Sequence, residues 1–220
     1  LQGSEPGLPD PLPLTEKAPV RERLYPYRGE YPRRADDPQR WMDDYDKILV
    51  ERVVLGDPDL SGTVLRLPMV YGPRDRQGRI AEYLQQMEAG TREIRMTQSE
   101  ARWRWTRGYA ADMAHAITLA VIDEGAANQT YNVGEPEVLS TKAWVEASGQ
   151  VAGWEGEVVL TPDEVRPVGQ QTDLNFKQNL VTDTSRIRSE LGYAELTSRD
   201  ESLRRTVEWE RANRAKMIDE

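Results

Sequence analysis

With no cysteine and a single histidine, His115, this 220-residue chain can form neither a disulfide nor a metal centre built from thiolates or several imidazoles. A net charge of −9 offers no positive field to a nucleic acid or a membrane surface. No apolar run approaches the roughly 20 residues of a membrane span, and residues 1–20 lack a secretory signal's hydrophobic block. With 38% hydrophobic and 30% charged residues, the composition points to a soluble, cytoplasmic α/β protein whose helices have wet faces.

Eight prolines (Pro6, Pro9, Pro11, Pro13, Pro19, Pro26, Pro32 and Pro38) fall within residues 1–38. Proline removes an amide donor and pushes the preceding residue out of the helical region. The stretch is therefore expected to be extended loop, which composition alone reads as a linker or arm. A helix is predicted from about Pro38 to Leu55, because Met42, Tyr45, Leu49 and Val53 recur at helical spacing with Trp41 and Ile48 alongside. Gly56-Asp57-Pro58 ends it, and Gly62 to Pro68 reads as a short buried strand. A second helix is predicted over Gln77–Ala89, closed by Gly90, with a strand over Glu93–Met96. From Gly108 an extended piece turns into a helix ending near Asp123, and Tyr131–Gly134 is a brief strand. Ser140 is the expected N-cap of a helix through Val151. Glu157–Leu160 and Asn179–Thr182 are expected to pair as late strands. Asp183 and Ser198 cap two final helices, the last carrying Leu203, Val207 and Trp209. Helices alternating with short strands make the class α/β.

Five stations, in order, carry a resemblance. They are Lys47–Glu51 on the first helix, Arg66 with Tyr71-Gly72-Pro73, Gly108-Tyr109 with Asp112-Met113-Ala114, Tyr131-Asn132-Val133-Gly134, and a tail running from Asp183 to Gly192 and on through Ser202–Trp209. Together they resemble the extended short-chain dehydrogenase/reductases of the NAD-dependent epimerase/dehydratase family. The resemblance implies the C-terminal part of a Rossmann-type parallel sheet plus a small α/β substrate domain. Residues 1–38 become a proline-rich cleft-edge loop, with Pro13–Pro19 similar to a family pattern. Residues 39–75 become the end of the Rossmann-like domain, and residues 76–220 mostly the substrate domain, with 108–135 returning to the Rossmann part. The family's glycine-rich pyrophosphate turn has no counterpart here. Since Leu1-Gln2-Gly3 falls in mid-loop by the family layout, about 100 or more upstream residues are expected.

In the family a helix carries Tyr-x-x-x-Lys. The tyrosine hydroxyl exchanges a proton with the substrate, and the lysine lowers its pKa and bonds the nicotinamide ribose. Here Lys47 matches, but Asp43 stands four residues before it. On a continuous helix the two would share a face, either as an ordinary ion pair or in the acid–base and cofactor places. Tyr45 would fall on the apolar stripe, about 200° round from Lys47. An aspartate titrating near about 4 is a weak base towards an alcohol. Lys47, Asp43 and Tyr45 are thus the catalytic candidates. Pro68, Met69 and Val70, at the strand exit, join Lys47 as cofactor contacts. Met69, where family members often place a polar residue, also faces substrate.

Arg66 is either a family arginine or a structural ion pair. The run Arg102–Arg107 interleaves cations with Trp103 and Trp105. Its readings are nucleic-acid stacking, edge-strand packing with cation–π contacts, or, by the resemblance, substrate-cleft arginines at Arg104 and Arg107. His115, among small apolar residues, reads as structural. The implied cofactor is NAD or NADP, the choice lying in residues upstream of Leu1. The implied partners are a small molecule, such as a nucleotide sugar, and a second copy of the chain through the Trp41–Leu49 stripe, with neither nucleic acid nor membrane. Two functional readings follow. One is an NAD(P)-dependent epimerase, dehydratase or reductase; the other is a relative without redox catalysis that binds a ligand or serves assembly.

Overall fold

The computed structural model describes residues 9–165 and 175–217, the side chains of 214–217 excepted; Pro6 and the Leu1–Gly3 opening lie outside them. Residues 9–39 hold no helix or regular strand, as their prolines dictate. The loop is fastened by buried Leu14, whose amide donates to Val181 O at 2.7 Å and whose carbonyl accepts from Asp183 N at 2.9 Å.

The single helix expected from Pro38 to Leu55 is two pieces. A 3-10 turn, Arg40–Asp44, is followed by extended backbone at Tyr45 and Asp46, and helix α1 spans Lys47–Gly56. Asp46 is the cause. Its carboxylate caps the Ile48 amide at 2.8 Å and is itself held by Arg21 and the Tyr25 amide, so the helix can start only after it. The Met42–Tyr45–Leu49–Val53 stripe is broken with it: no residue of α1 is buried, and Val53 is 65% exposed.

Strand β1 (Val64–Arg66) is interrupted at Leu67-Pro68 and resumes as β2 (Met69–Tyr71), since proline cannot donate to a ladder. Strands β3 (Glu93–Thr97), β4 (Arg107–Tyr109), β5 (Thr130–Asn132) and β6 (Glu157–Thr161) complete the set of described strands. Three parallel pairs form: β1 with β5, β2 with β4, and β3 with β6. The architecture is therefore α/β. The expected pairing of 157–160 with 179–182 does not occur. Strand β6 matches β3 over its whole length. The amides of Leu180 and Thr182 are instead taken by Arg104 O and Thr106 Oγ1, beside single bridges to Trp105 and Leu14.

The helices are α2 (Ala81–Glu88), α3 (Gln98–Arg102), α4 (Ala110–Ile122), α5 (Thr141–Ala152), α6 (Ser185–Leu191) and α7 (Arg199–Met217). Helix α2 starts later than the predicted Gln77 because Asp75 collects the amides of Gln77 and Arg79 in a turn. Ser140 caps α5 through the Ala143 amide, as its position predicts. One core packs α2, α5 and α7 on β3–β6 around Ile94, Trp144, Val158 and Leu203. A second packs α4 and α6 on β1–β5 around Met113, Tyr131, Val133 and Ile187. Among the described strands β1 has only β5 beside it, and Ile117, Val121 and Ile122 on α4 are exposed. No described helix is long and apolar enough to cross a membrane.

Candidate functional site at the strand exits

Parallel strands β1 and β5 end together, Arg66 opposite Asn132. Ligands of open α/β sheets gather at such carboxyl ends. The side chain of Arg66 forks onto Glu51 of α1 at 3.0 and 2.7 Å and also donates to Glu16 O. It is a structural clamp. Glu51 meets Arg66 while Val54 lies against Gly62, so α1 runs antiparallel to β1. Lys47 is one turn before Glu51, about 6 Å further along, and so lies towards the strand exit. It is exposed and makes no ion pair with a described residue.

Asp43 is elsewhere than its spacing suggested. It is not on α1 and forms no pair with Lys47. Buried in the 3-10 turn, it accepts the Arg33 amide at 2.7 Å, pairs with the Arg33 guanidinium and lies 3.4 Å from Arg40. The Arg33 amide and guanidinium hold its carboxyl below the usual range. Tyr45 is stacked on Tyr27, with centroids 6.2 Å apart, and meets Trp41 edge-on at 5.5 Å.

Pro68 fills the gap between the two exits. A Cβ on Gly134 would lie 3.3 Å from Pro68 Cβ and 2.4 Å from Thr106 Cγ2, and one on Gly108 would lie 3.0 Å from Pro68 Cγ. Glycine at both places lets the strands close on the proline. Buried Met69 donates its amide to Thr106 O at 3.1 Å and stands opposite Arg107, while Val70 packs into the β1–β5 core.

The two arginines part company. Three residues apart on extended chain, their side chains leave opposite faces. Arg107 is buried, 4.5 Å above the Trp144 ring, with Nη1 on the carbonyls of Trp105 and Leu139. Burial pushes its pKa down to about 10, against the pull of Glu135. Arg104 is exposed and lines a cleft with Leu12, Pro136 and Thr182.

Sequence reading missed Glu135. It stands one residue past Gly134, with its amide on Arg107 O, one carboxylate oxygen on Tyr71 OH at 2.9 Å and the other on Arg199 Nε at 2.9 Å. Burial, then Glu135, raises the Tyr71 phenol pKa. The Tyr71-Gly72-Pro73 and Tyr131–Gly134 motifs border this cluster, while Arg199 comes from a distant segment. His115 lies on α4 near the Tyr193 ring, at 6.2 Å, and no cluster of potential metal ligands occurs among the described residues.

The family model described as NAD dependent epimerase/dehydratase matches residues 24–134. No curated protein matches the chain. Among solved structures, an epimerase of the methanogen Methanothermobacter thermautotrophicus superposes with a TM-score of 0.68 at 15% identity, covering 98% of this chain and 59% of its own. UDP-glucose 4-epimerase of Thermotoga maritima, solved with UDP-glucose, gives 0.60 at 22%, covering 80% and 54%. The dTDP-glucose 4,6-dehydratase of Streptomyces venezuelae, solved with NAD, gives 0.64 at 18%, covering 97% and 58%. The chain thus spans between half and three fifths of these structures' length. At such identities the likeness is one of fold.

Proposed function

The chain belongs to the NAD dependent epimerase/dehydratase family, and on that premise we propose that it carries the Lys47 helix and substrate-side layers of a nicotinamide-dependent epimerase, dehydratase or reductase. Its substrate is a sugar nucleotide or a similar hydroxylated small molecule. The observation that carries the reading is Lys47, an exposed ammonium with no ion pair among the described residues, one helical turn before the Glu51 that Arg66 holds at the end of β1. That placement suits the ribose hydroxyls of NAD or NADP, with Pro68, Met69 and Val70 beside the ring. When bound, the nicotinamide supplies the hydride acceptor and donor. The chain's own part is to hold the ribose through Lys47, to close the exit with Pro68 and to present Met69 to substrate. Residues 39–75 and 108–135 make the dinucleotide side in this reading, and the rest the substrate side. Arg107, the register partner of Met69 on the neighbouring strand, acts as a buried support. A dimer forms through the exposed face of α1, with Val50 and Val53 at its centre.

A second reading has its own observation. Asp43 is held by Arg33 and Arg40 and makes no ion pair with Lys47, and Tyr45 packs its ring against Tyr27 and Trp41. A relative that keeps the cofactor or ligand and has lost the redox step accounts for that arrangement. Fluorescence titration of NADH and NADPH against the intact natural polypeptide tests both. Lys47→Ala is expected to weaken binding about tenfold or more, the worth of a charged hydrogen bond. Unchanged affinity would remove Lys47 from the cofactor site. Binding without turnover across UDP- and dTDP-sugars would select the second reading.

A further inference from the structure

Among the described strands, β2 and β4 have only each other. Two short parallel strands make a weak ladder, so other bonds must fix their spacing. Glu135 supplies them from a segment that belongs to neither strand. Its amide donates to Arg107 O on β4 at 2.8 Å, and its carboxylate accepts from Tyr71 OH on β2 at 2.9 Å. One buried residue thus grips both strands. Met69 stands two places before Tyr71 on β2, so both side chains leave the same face, and both are buried. The residue before Glu135 bears on the same segment. Gly134 packs so closely that a Cβ on it would lie 3.3 Å from Pro68 Cβ. The stretch from Pro68 to Tyr71 is therefore held at its start by Gly134 and at its end by Glu135.

The other carboxylate oxygen of Glu135 accepts from Arg199 Nε at 2.9 Å. Arg199 is the first residue of α7, and its two Nη atoms hold Glu137 by its carboxylate and its carbonyl, at 2.9 and 2.6 Å. A guanidinium fixed at three points orients the Glu135 carboxylate towards Tyr71. Helix α7 itself is seated in the core on β3–β6 through Leu203 and Val207. We propose that Glu135 is a positioning residue of the strand exit. Acting through Tyr71 and the Arg107 carbonyl, it sets where Met69 stands, and the ion pair with Arg199 keys that setting to α7. The consequence for the cofactor rests on the reading of the exit as the nicotinamide site; the clamp itself does not.

The test is titration of NADH and NADPH against the intact natural polypeptide, beside urea melts and the methyl resonance of Met69. Glu135→Gln keeps an acceptor for Tyr71 and removes the charge that Arg199 holds. It is expected to weaken the nicotinamide about threefold or more in protein that is still folded. Tyr71→Phe should do the same, and the two changes together should cost little more than either alone, because they cut one path. Glu135→Gln with Arg199→Gln, an amide facing an amide, should recover part of the affinity. Gly153→Ala, at the open C-cap of α5, is the control, expected to lower stability while leaving affinity and the Met69 resonance unchanged. The Met69 methyl needs no ligand and should shift in Glu135→Gln. Melts that fall while affinity keeps its wild-type value would make Glu135 merely structural and overturn the proposal, as would an unmoved Met69 resonance. A wild type that binds no nicotinamide while Met69 still moves would strike the Lys47 reading and support the clamp.

Discussion

Asp46 shows how one carboxylate can organise a segment. It accepts from Arg21 at 3.0 and 2.6 Å, from the Tyr25 amide at 2.5 Å and from the Ile48 amide at 2.8 Å. It thereby starts α1 and anchors the proline-rich loop. The Arg21 guanidinium is the largest cause of its lowered pKa. A lowered folded-state pKa gives stability that is complete above the unfolded value of about 3.9 and is lost as pH falls through the folded value. Asp46→Asn keeps an acceptor for the cap but leaves Arg21 without its charge partner, so a loss of about 2 kcal/mol is expected at neutral pH. Urea unfolding should show that gap intact at neutral pH and closing only in strong acid. A gap independent of pH would mean that the charge is not its source.

The elements show which features a sequence can reveal by itself. Helices α4 and α5 are readable, α4 from its turn out of extended chain after Gly108 and α5 from its local Ser140 cap. The break before α1 is not, since it depends on Arg21, a contact across 25 positions that no helical period contains. Strand partners are equally hidden. The β6 sequence is compatible with several neighbours, and only packing chose β3. At the site, the strand exit and Lys47 were visible as motifs. The tie between Tyr71 and Glu135 was not, being made across 64 positions. The exit's closeness gives a second expectation. Gly134 has φ +152° and a Cβ there would sit 2.4 Å from Thr106 Cγ2, whereas Gly153, at φ +74°, has nothing within 4 Å. Gly153→Ala should cost about 1 kcal/mol from backbone conformation alone. Gly134→Ala should cost about 2–4 kcal/mol once overpacking is added. Equal losses in denaturant melts would refute the steric account of the exit.

For the whole molecule, the distribution of apolar surface matters most. Helix α1 buries none of its residues, Val53 is 65% exposed, and Val121 on α4 is 78% exposed. Exposed aliphatics of this kind favour association. The 220-residue chain by itself is expected to self-associate with rising concentration, and Val53→Lys with Val121→Lys to suppress it, as light scattering would report. Association unchanged by both substitutions would place the contact elsewhere. The parallel ladders also bear on how the molecule is made. Val64 must find Thr130, Met69 must find Arg107, and Glu93 must find Glu157. Chain entropy is lost before any of these pairs returns hydrogen bonds. During synthesis, at about 5–20 residues per second, the first member of each pair leaves the ribosome seconds ahead of its mate. The order of arrival, more than the strength of any single contact, then sets the interval in which those strands stand open to wrong partners.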